Sequence, residues 1–358
     1  MPAFTLASSE NHPMPANDLS DVLRLVGPDW ESLRGQRLLL TGGTGIIGKW
    51  LLSSLLFANR ELGLSSRVTV LSRNPRHFAR MYPLLANDAA VTLLAGDVRH
   101  FEAASTESCS HVIHGALDVV DQGGPADILQ TCIAGTSQVI EQANRLGAAR
   151  MLLLSSGSVY GKTPLDTVLI DEDCRSAPVC QSGAGAYGEG KRCAELLCAI
   201  ENERPKGITI PVARCFAMVG PYLPLDKHFA IGNFIGAALR GEPVTITGDG
   251  TPLRSYLHAV DVTAWLWLLL LRGQGQRAYN VGSEVAVSIQ SLAERVVAVL
   301  GSNSTIDVLG QHTPEAHANR YVPSAARMAL EFGVRQSVTL DQAILRTADW
   351  HRAKSLYE

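Results

Sequence analysis

Residues 37–56 read RLLLTGGTGIIGKWLLSSLL, and the rest of the chain can be placed relative to them. Leu38 to Leu40 are a short apolar run suited to a central parallel strand. Gly42, Gly45 and Gly48 follow at three-residue spacing, and a helical apolar pattern begins directly after them. The reading is strand, glycine turn, helix. Gly42 allows the tight turn, Gly45 lets backbone N–H groups approach a pyrophosphate, and Gly48 lets the helix pack close to the strand. The helix N-terminus adds positive potential for phosphates. A dinucleotide is the expected ligand, with Thr44, Ile46 and Ile47 completing the loop. A ligand-free glycine turn is the plainer alternative, and the flanking strand and helix weigh against it.

Outward from this stretch, strand and helix patterns alternate. Residues 67–71 (RVTVL), 91–95, 111–116 (HVIHGA) and 151–154 read as strands, and residues 125–147 and 186–200 as helices. After residues 208–212 the alternation breaks. Residues 228–240, 261–271 and 288–300 read as helices among short extended pieces at 244–246 and 278–281. The fold expected is α/β, a Rossmann-type doubly wound parallel sheet with a smaller C-terminal α/β substrate lobe. Residues 1–34 would be a partly flexible N-terminal extension, 35–215 the dinucleotide-binding domain, and 216–358 mainly the substrate lobe, with segments returning to the first domain. A length of 358 residues suits that division.

Bulk properties narrow the function. The formal charge is −3 with no basic block, which argues against a nucleic-acid partner. The most apolar run, AWLWLLLL at 264–271, is far shorter than the ~20 residues that cross a bilayer, so it reads as a buried helix and no membrane partner is expected. Residues 1–17 lack a charged start followed by an apolar core and read as a lead-in, not a signal peptide. The seven cysteines are odd in number and form no CxxC pair. Neither a disulfide framework nor a zinc site is indicated, and a reducing cytoplasm is the expected location.

Chemistry concentrates further on. The strand at 151–154 delivers Ser155-Ser156-Gly157-Ser158-Val159-Tyr160-Gly161 at its carboxyl end, where open α/β sheets bind ligands. Tyr187 and Lys191 stand at i and i+4 and share one helix face. An ammonium there stabilises tyrosinate and can hold nicotinamide ribose hydroxyls. The phenol can then take a proton from a sugar hydroxyl as hydride leaves the same carbon, with Ser156 orienting that oxygen. YxxxK alone is common by chance; after TGGTGIIG and SSGSVYG it is specific. The strand at 67–71 ends in Ser72-Arg73-Asn74-Pro75-Arg76, with no acidic residue for ribose hydroxyls. Arg73 suits a 2′-phosphate, so NADP is the expected cofactor. NAD is the alternative, with Arg73 stacked on adenine or facing solvent. His114, at a strand end, reads more readily as hydrogen-bonded structure than as a catalyst.

The GxxGxxG spacing, SSGSVYG and YxxxK together resemble the extended short-chain dehydrogenase/reductase superfamily, of the NAD-dependent epimerase/dehydratase type, over residues 35 to about 301. The resemblance implies nucleotide-sugar substrates. It places Asp97 and Val98 beside adenine, Gly115 and Ala116 under the pyrophosphate and ribose, and a diphosphate-holding pattern at Arg214, Gly220-Pro221, Gly248-Asp249-Gly250 and Arg254-Ser255-Tyr256. Arg254 is the diphosphate contact it favours, against a surface ion pair, and Asn233 a contact to diphosphate or sugar, against a solvated helix residue. Relatives often carry Asn where Cys132 stands. Dehydratases of this group carry an Asp-Glu pair where Gly157 and Ser158 stand, and decarboxylating relatives use a glutamate there, so both reactions are demoted. Comparison with GDP-fucose synthase makes Ser158 and His228 acid/base candidates, although serine is a poor acid without activation. The expected activity is an NAD(P)-dependent nucleotide-sugar oxidoreductase or epimerase at sugar C4. A 4,6-dehydratase-like enzyme and a non-catalytic NAD(P)-binding sensor or scaffold are the alternatives. The resemblance also implies a homodimer, formed by the helix that carries YxxxK and the one before it, for which Cys193, Leu196, Leu197 and Ile200 would supply apolar surface, with a place in the core as their alternative.

Overall fold

A computed structural model describes residues 12–103, 108–117, 123–227, 229–311 and 319–355. The cofactor half runs α1 (Ala16–Val26), a 3-10 turn, β1 (Arg37–Thr41), α2 (Ile46–Leu62), β2 (Arg67–Ser72), α3 (Pro75–Met81), α4 (Pro83–Ala86), β3 (Val91–Ala95), β4 (His111–His114), α5 (Gly124–Arg145), β5 (Arg150–Ser156), α6 (Ala186–Asn202) and β6 (Val212–Cys215). Then follow β7 (Met218–Val219), α7 (Ala230–Arg240), β8 (Val244–Ile246), β9 (Leu253–Arg254), β10 (Leu257–His258), α8 (Ala259–Arg272), β11 (Ala278–Val281), β12 (Val287–Ser288), α9 (Ile289–Leu300), β13 (Ile306–Val308), β14 (Arg320–Tyr321), α10 (Ala326–Phe332) and α11 (Leu340–Ser355).

The central sheet has seven strands in the order β11-β6-β5-β4-β1-β2-β3. Every pairing is parallel. This is the doubly wound Rossmann-type arrangement, and it reverses direction between β1 and β4, where the crevice for a ligand opens. Side-chain alternation along β1 feeds both faces: Leu38 and Leu40 enter one core and Leu39 the other. The second core is closed by α5 and α6 through Val139, Ala143, Ala194 and Cys198.

The largely apolar helix α8 packs on β5 and β6 and also against α1 and α2. Its residues 259–270 are buried throughout, which is why no polar stripe was needed. α8 covers the main sheet, and β11 is its edge strand beside β6. α1 acquires a role from this: with the 3-10 turn after it, it lies on α8, with the Trp30 and Trp267 rings 5.1 Å apart and Arg272 Nη1 3.0 Å from Asp29 Oδ2. The lead-in is held from residue 12 onward: Trp350 Nε1 donates to the Pro13 carbonyl at 3.2 Å.

The smaller half is built from α7, α9 and short strand groups, β8 with β13, and β9 between β12 and β14. In the latter, Arg254 and Tyr321 are register partners. Among the described residues, no helix is long and apolar enough to cross a membrane, and no three or more His, Cys, Asp or Glu are grouped to hold a metal ion. All seven cysteines are free thiols.

Candidate active site

The glycine turn sits at the switch point. Gly42 has φ +76°, and a Cβ there would lie 2.5 Å from the Gly115 carbonyl carbon, so backbone meets backbone where β1 and β4 end. A Cβ at Gly48 would overlap the Gly42 carbonyl, which explains how α2 reaches so close to its strand. Beside them lies a cavity of about 340 Å³ lined by Gly42, Thr44, Gly45, Arg73, Asp97, Val98, Gly115 and Ala116, among others. Ile46 and Ile47, in the first turn of α2, pack partly buried against the core and do not line it. The open backbone at Gly45, the α2 N-terminus and the cavity beside them fit a dinucleotide.

Two features at the adenosine end go beyond the motif. Arg99 also lines the cavity, donating from Nε and Nη2 to Asp97 at 2.9 and 2.7 Å and from Nη1 to Asp127 at 2.7 Å. The hydrogen bonds from Arg99 hold the Asp97 carboxyl down at about 2. Arg99 follows GDV directly, but nothing in the sequence told that it would turn back onto Asp97. Arg73 is exposed at the cavity edge. His114 is structural: Nδ1 bonds Thr41 Oγ1 at 2.8 Å and Nε2 bonds Thr136 Oγ1 at 3.1 Å, and burial lowers its pKa to about 3.

At the end of β5, Ser156 Oγ accepts from the Ser158 N–H at 3.1 Å and donates to Ser158 Oγ at 3.1 Å. Tyr187, in the first turn of α6, lies close enough to Ser156 for that hydroxyl to pull its pKa down. One turn on, Lys191 is buried and its Nζ donates to the Leu154 carbonyl at 2.7 Å. Ser156, Tyr187 and Lys191 are thus brought together. Burial pushes the Tyr187 phenol up to about 12, against the downward pull of Ser156, and burial also lowers the Lys191 pKa. In the protein alone it is burial, and not the ammonium expected to lower it, that sets the phenol. Gly190, a weak residue for a helix interior, is where α6 crosses α5: a Cβ there would lie 2.9 Å from Cys132 Sγ.

A second cleft is lined by Ser158, Tyr187, Arg254 and Tyr321. Arg254 Nη1 donates to the carbonyls of Leu253 and Asn319 at 2.9 and 3.1 Å. Asn233 stands exposed on α7 and is not among the residues lining this cleft. His228 lies outside the described residues. Arg214, which the resemblance put in the diphosphate pattern, is instead a brace. Its Nε and Nη2 donate to Glu195 at 3.1 and 2.7 Å, and Nη1 donates to Tyr160 Oη and the Glu172 carbonyl. Glu195 also accepts from Ser155 Oγ at 2.5 Å, so the brace pins α6 to β5 and β6.

The sequence profile of the NAD dependent epimerase/dehydratase family matches residues 38–282. The chain belongs to that family. Relatives within reach of sequence comparison include UDP-glucuronic acid decarboxylase 1 of Arabidopsis thaliana, 26% identical over 331 residues, covering 90% of this chain and 71% of that protein. The dTDP-glucose 4,6-dehydratase of Streptomyces niveus is 26% identical over 325 residues, covering 88% and 93%. Among solved structures, the UDP-glucose 4-epimerase of Thermotoga maritima with UDP-glucose superposes with a TM-score of 0.74 at 18% identity, over 89% of this chain and 100% of that one. MoeE5 in complex with UDP-glucose and NAD gives 0.71 at 25% identity, over 89% and 99%. The family assignment carries the enzyme class and the Rossmann-type fold. Its members' names divide among epimerases, dehydratases and decarboxylases, so the reaction has to be argued from the side chains of this chain.

Proposed function

We propose that the protein is an NAD(P)-dependent nucleotide-sugar oxidoreductase or epimerase acting at sugar C4. The observation that carries this reading is a pair of facts at one strand end: Ser156, Tyr187 and Lys191 converge, while the two positions after Ser156 are Gly157 and Ser158, which have no carboxyl. Elimination of water across C5 and C6 needs a proton acceptor and a donor beyond the tyrosine, and loss of a carboxylate group likewise needs its own acid/base helper. Proton exchange at one hydroxyl needs only the phenol.

A nicotinamide dinucleotide bound in the first cavity supplies the hydride acceptor or donor. Tyr187 takes the proton of the C4 hydroxyl in one direction and returns it in the other. Ser156 donates a hydrogen bond to the same oxygen, and Lys191 favours the phenolate. With the phenol starting near 12, each unit it comes down toward working pH corresponds to about 1.4 kcal/mol of added preference for the ionised form. Arg254, facing the second cleft, suits one diphosphate oxygen pair. Asn233 and His228 are assigned to substrate binding and acid/base work only by resemblance.

Arg73 at the cavity edge, with Ser72 in place of an acidic residue before it, favours NADP, and with it a net 4-keto reduction. A tightly held NAD would favour 4-epimerisation. Incubation with UDP- and dTDP-sugars, following reduced-cofactor absorbance and product stereochemistry, separates the two. Tyr187→Phe should cost at least about 100-fold in turnover with cofactor binding kept. A product lighter by one water would restore the dehydratase reading, and full activity of Tyr187→Phe would remove Tyr187 from the mechanism. Pairing of two copies through α5 and α6 is part of the proposal.

A further inference from the structure

Gly157 is small because something else fills its side-chain space. A Cβ there would overlap the Tyr321 hydroxyl and lie 2.6 Å from Phe216 Cζ. Tyr321 comes from β14, more than 160 residues later, and its hydroxyl stands beside the Ser156–Ser158 turn, close enough for both serines to pull its pKa down against burial. Its ring stacks on Phe216 with centroids 4.5 Å apart and planes inclined by 35°. The segment is anchored on both sides: Tyr321 pairs in register with Arg254, and Ile170 N donates to the Val322 carbonyl at 2.9 Å while Ser324 N donates to the Ile170 carbonyl at 2.8 Å. The phenol is therefore held in place, and it lines the same cleft as Tyr187, Ser158 and Arg254.

We propose that Tyr321 is the positioning residue of the catalytic serine, its hydroxyl standing where a side chain at 157 would stand in a chain that had one. A serine hydroxyl has one proton. In this structure Ser156 spends it on Ser158 Oγ at 3.1 Å, so it cannot at the same time donate to a reacting oxygen. The Tyr321 hydroxyl stands between the two serines, in the side-chain space of Gly157. By donating to Ser158 Oγ it satisfies that oxygen and releases the Ser156 proton toward Tyr187 and the substrate hydroxyl. Burial keeps the Tyr321 phenol protonated through the working range, so it is always available as a donor. The smaller half of the molecule thereby sets the orientation of a group on the main sheet. The inference rests on Ser156 acting at the reacting oxygen, as proposed above.

Tyr321→Phe keeps the ring and its stacking and removes only the hydroxyl. With a nucleotide sugar that the parent turns over, kcat should fall about tenfold, while KM and the cofactor dissociation constant stay within about twofold. In a Ser156→Ala background the same change should cost nothing further, because the group being oriented is gone. Unchanged kcat, a loss confined to KM, or equal losses with and without Ser156 would each overturn the proposal. Should the parent turn over no nucleotide sugar, the functional reading fails. The positioning claim is then decided by crystal structures of the parent and of Tyr321→Phe with NAD(P) bound: Ser156 Oγ should turn from Ser158 toward Tyr187 in the parent and stay on Ser158 in the variant, and the same serine geometry in both would refute it.

Discussion

At the residue scale, the glycines of the first turn separate two costs that sequence alone lumps together. Gly42 and Gly63 both hold positive φ, +76° and +60°, but a Cβ at Gly42 meets the Gly115 backbone, whereas one at Gly63 meets nothing within 4 Å. Gly63→Ala at the end of α2 should cost about 1 kcal/mol, the left-handed strain of an L-residue, and leave cofactor affinity unchanged. Gly42→Ala adds the collision at the switch point. It should cost more than 2 kcal/mol, roughly, and weaken cofactor binding at least tenfold, because β1 and β4 must part to admit the methyl group. Urea melts and cofactor titrations of the two variants check this; matching losses would mean that the Gly42–Gly115 approach does not shape the cavity.

At the scale of elements, α1 is fastened to α11 by a strained pair. Asp18 is 2% exposed and accepts from Arg346 Nη1 at 2.8 Å through Oδ1, while its Oδ2 has no hydrogen-bond partner. Burial, outweighing Arg346, raises its pKa to about 6. The folded value lies above the unfolded one of about 3.9, so the native state holds the proton where the unfolded chain has released it. This contribution is fully present below about pH 4 and is lost as pH rises through about 6. Compared with Asp18→Asn, the parent should therefore gain up to about 3 kcal/mol between pH 7.5 and pH 4, measured as the difference of the two urea-unfolding free energies. A difference that stays flat across that window would show that Asp18 is ionised in the fold as it is in water.

For the whole molecule, the surface of α6 away from the sheet is an apolar stripe left uncovered by the described residues. Leu196 and Ile200 are 61% and 53% exposed, one turn apart, and Ile133 on the neighbouring α5 is 37% exposed. Leu197 faces inward against the core, and Cys193 is half-buried. A second copy packing the same two helices would bury this stripe symmetrically. Leu196→Glu with Ile200→Glu should convert a dimer to a monomer in sedimentation equilibrium, with cofactor binding retained. A parent protein that sediments as a monomer would sink the idea. The brace from Ser155 through Glu195 and Arg214 to Tyr160 makes α6 a firm base for such an interface, since it locks that helix to two strands of the sheet.

The local and periodic parts of this protein were decided by the sequence itself. TGGTGIIG after an apolar run could hardly be other than a strand, a phosphate-type turn and a helix, and Tyr187 with Lys191 had to share a face, because both readings depend only on neighbours within one or two turns. The apolar runs of residues 67–156 likewise determined a parallel sheet, with the helix at 125–147 leading into its next strand. Tertiary structure alone decided the rest. It assigned α8 and β11 to the main sheet, turned Arg214 from the diphosphate pattern into a brace, closed Arg99 on Asp97, and carried Tyr321 into the space beside Gly157. Those roles come from groups dozens to hundreds of residues apart that meet only once the chain is packed. A side chain's partner in that case is set by three-dimensional proximity, which no spacing along the chain encodes.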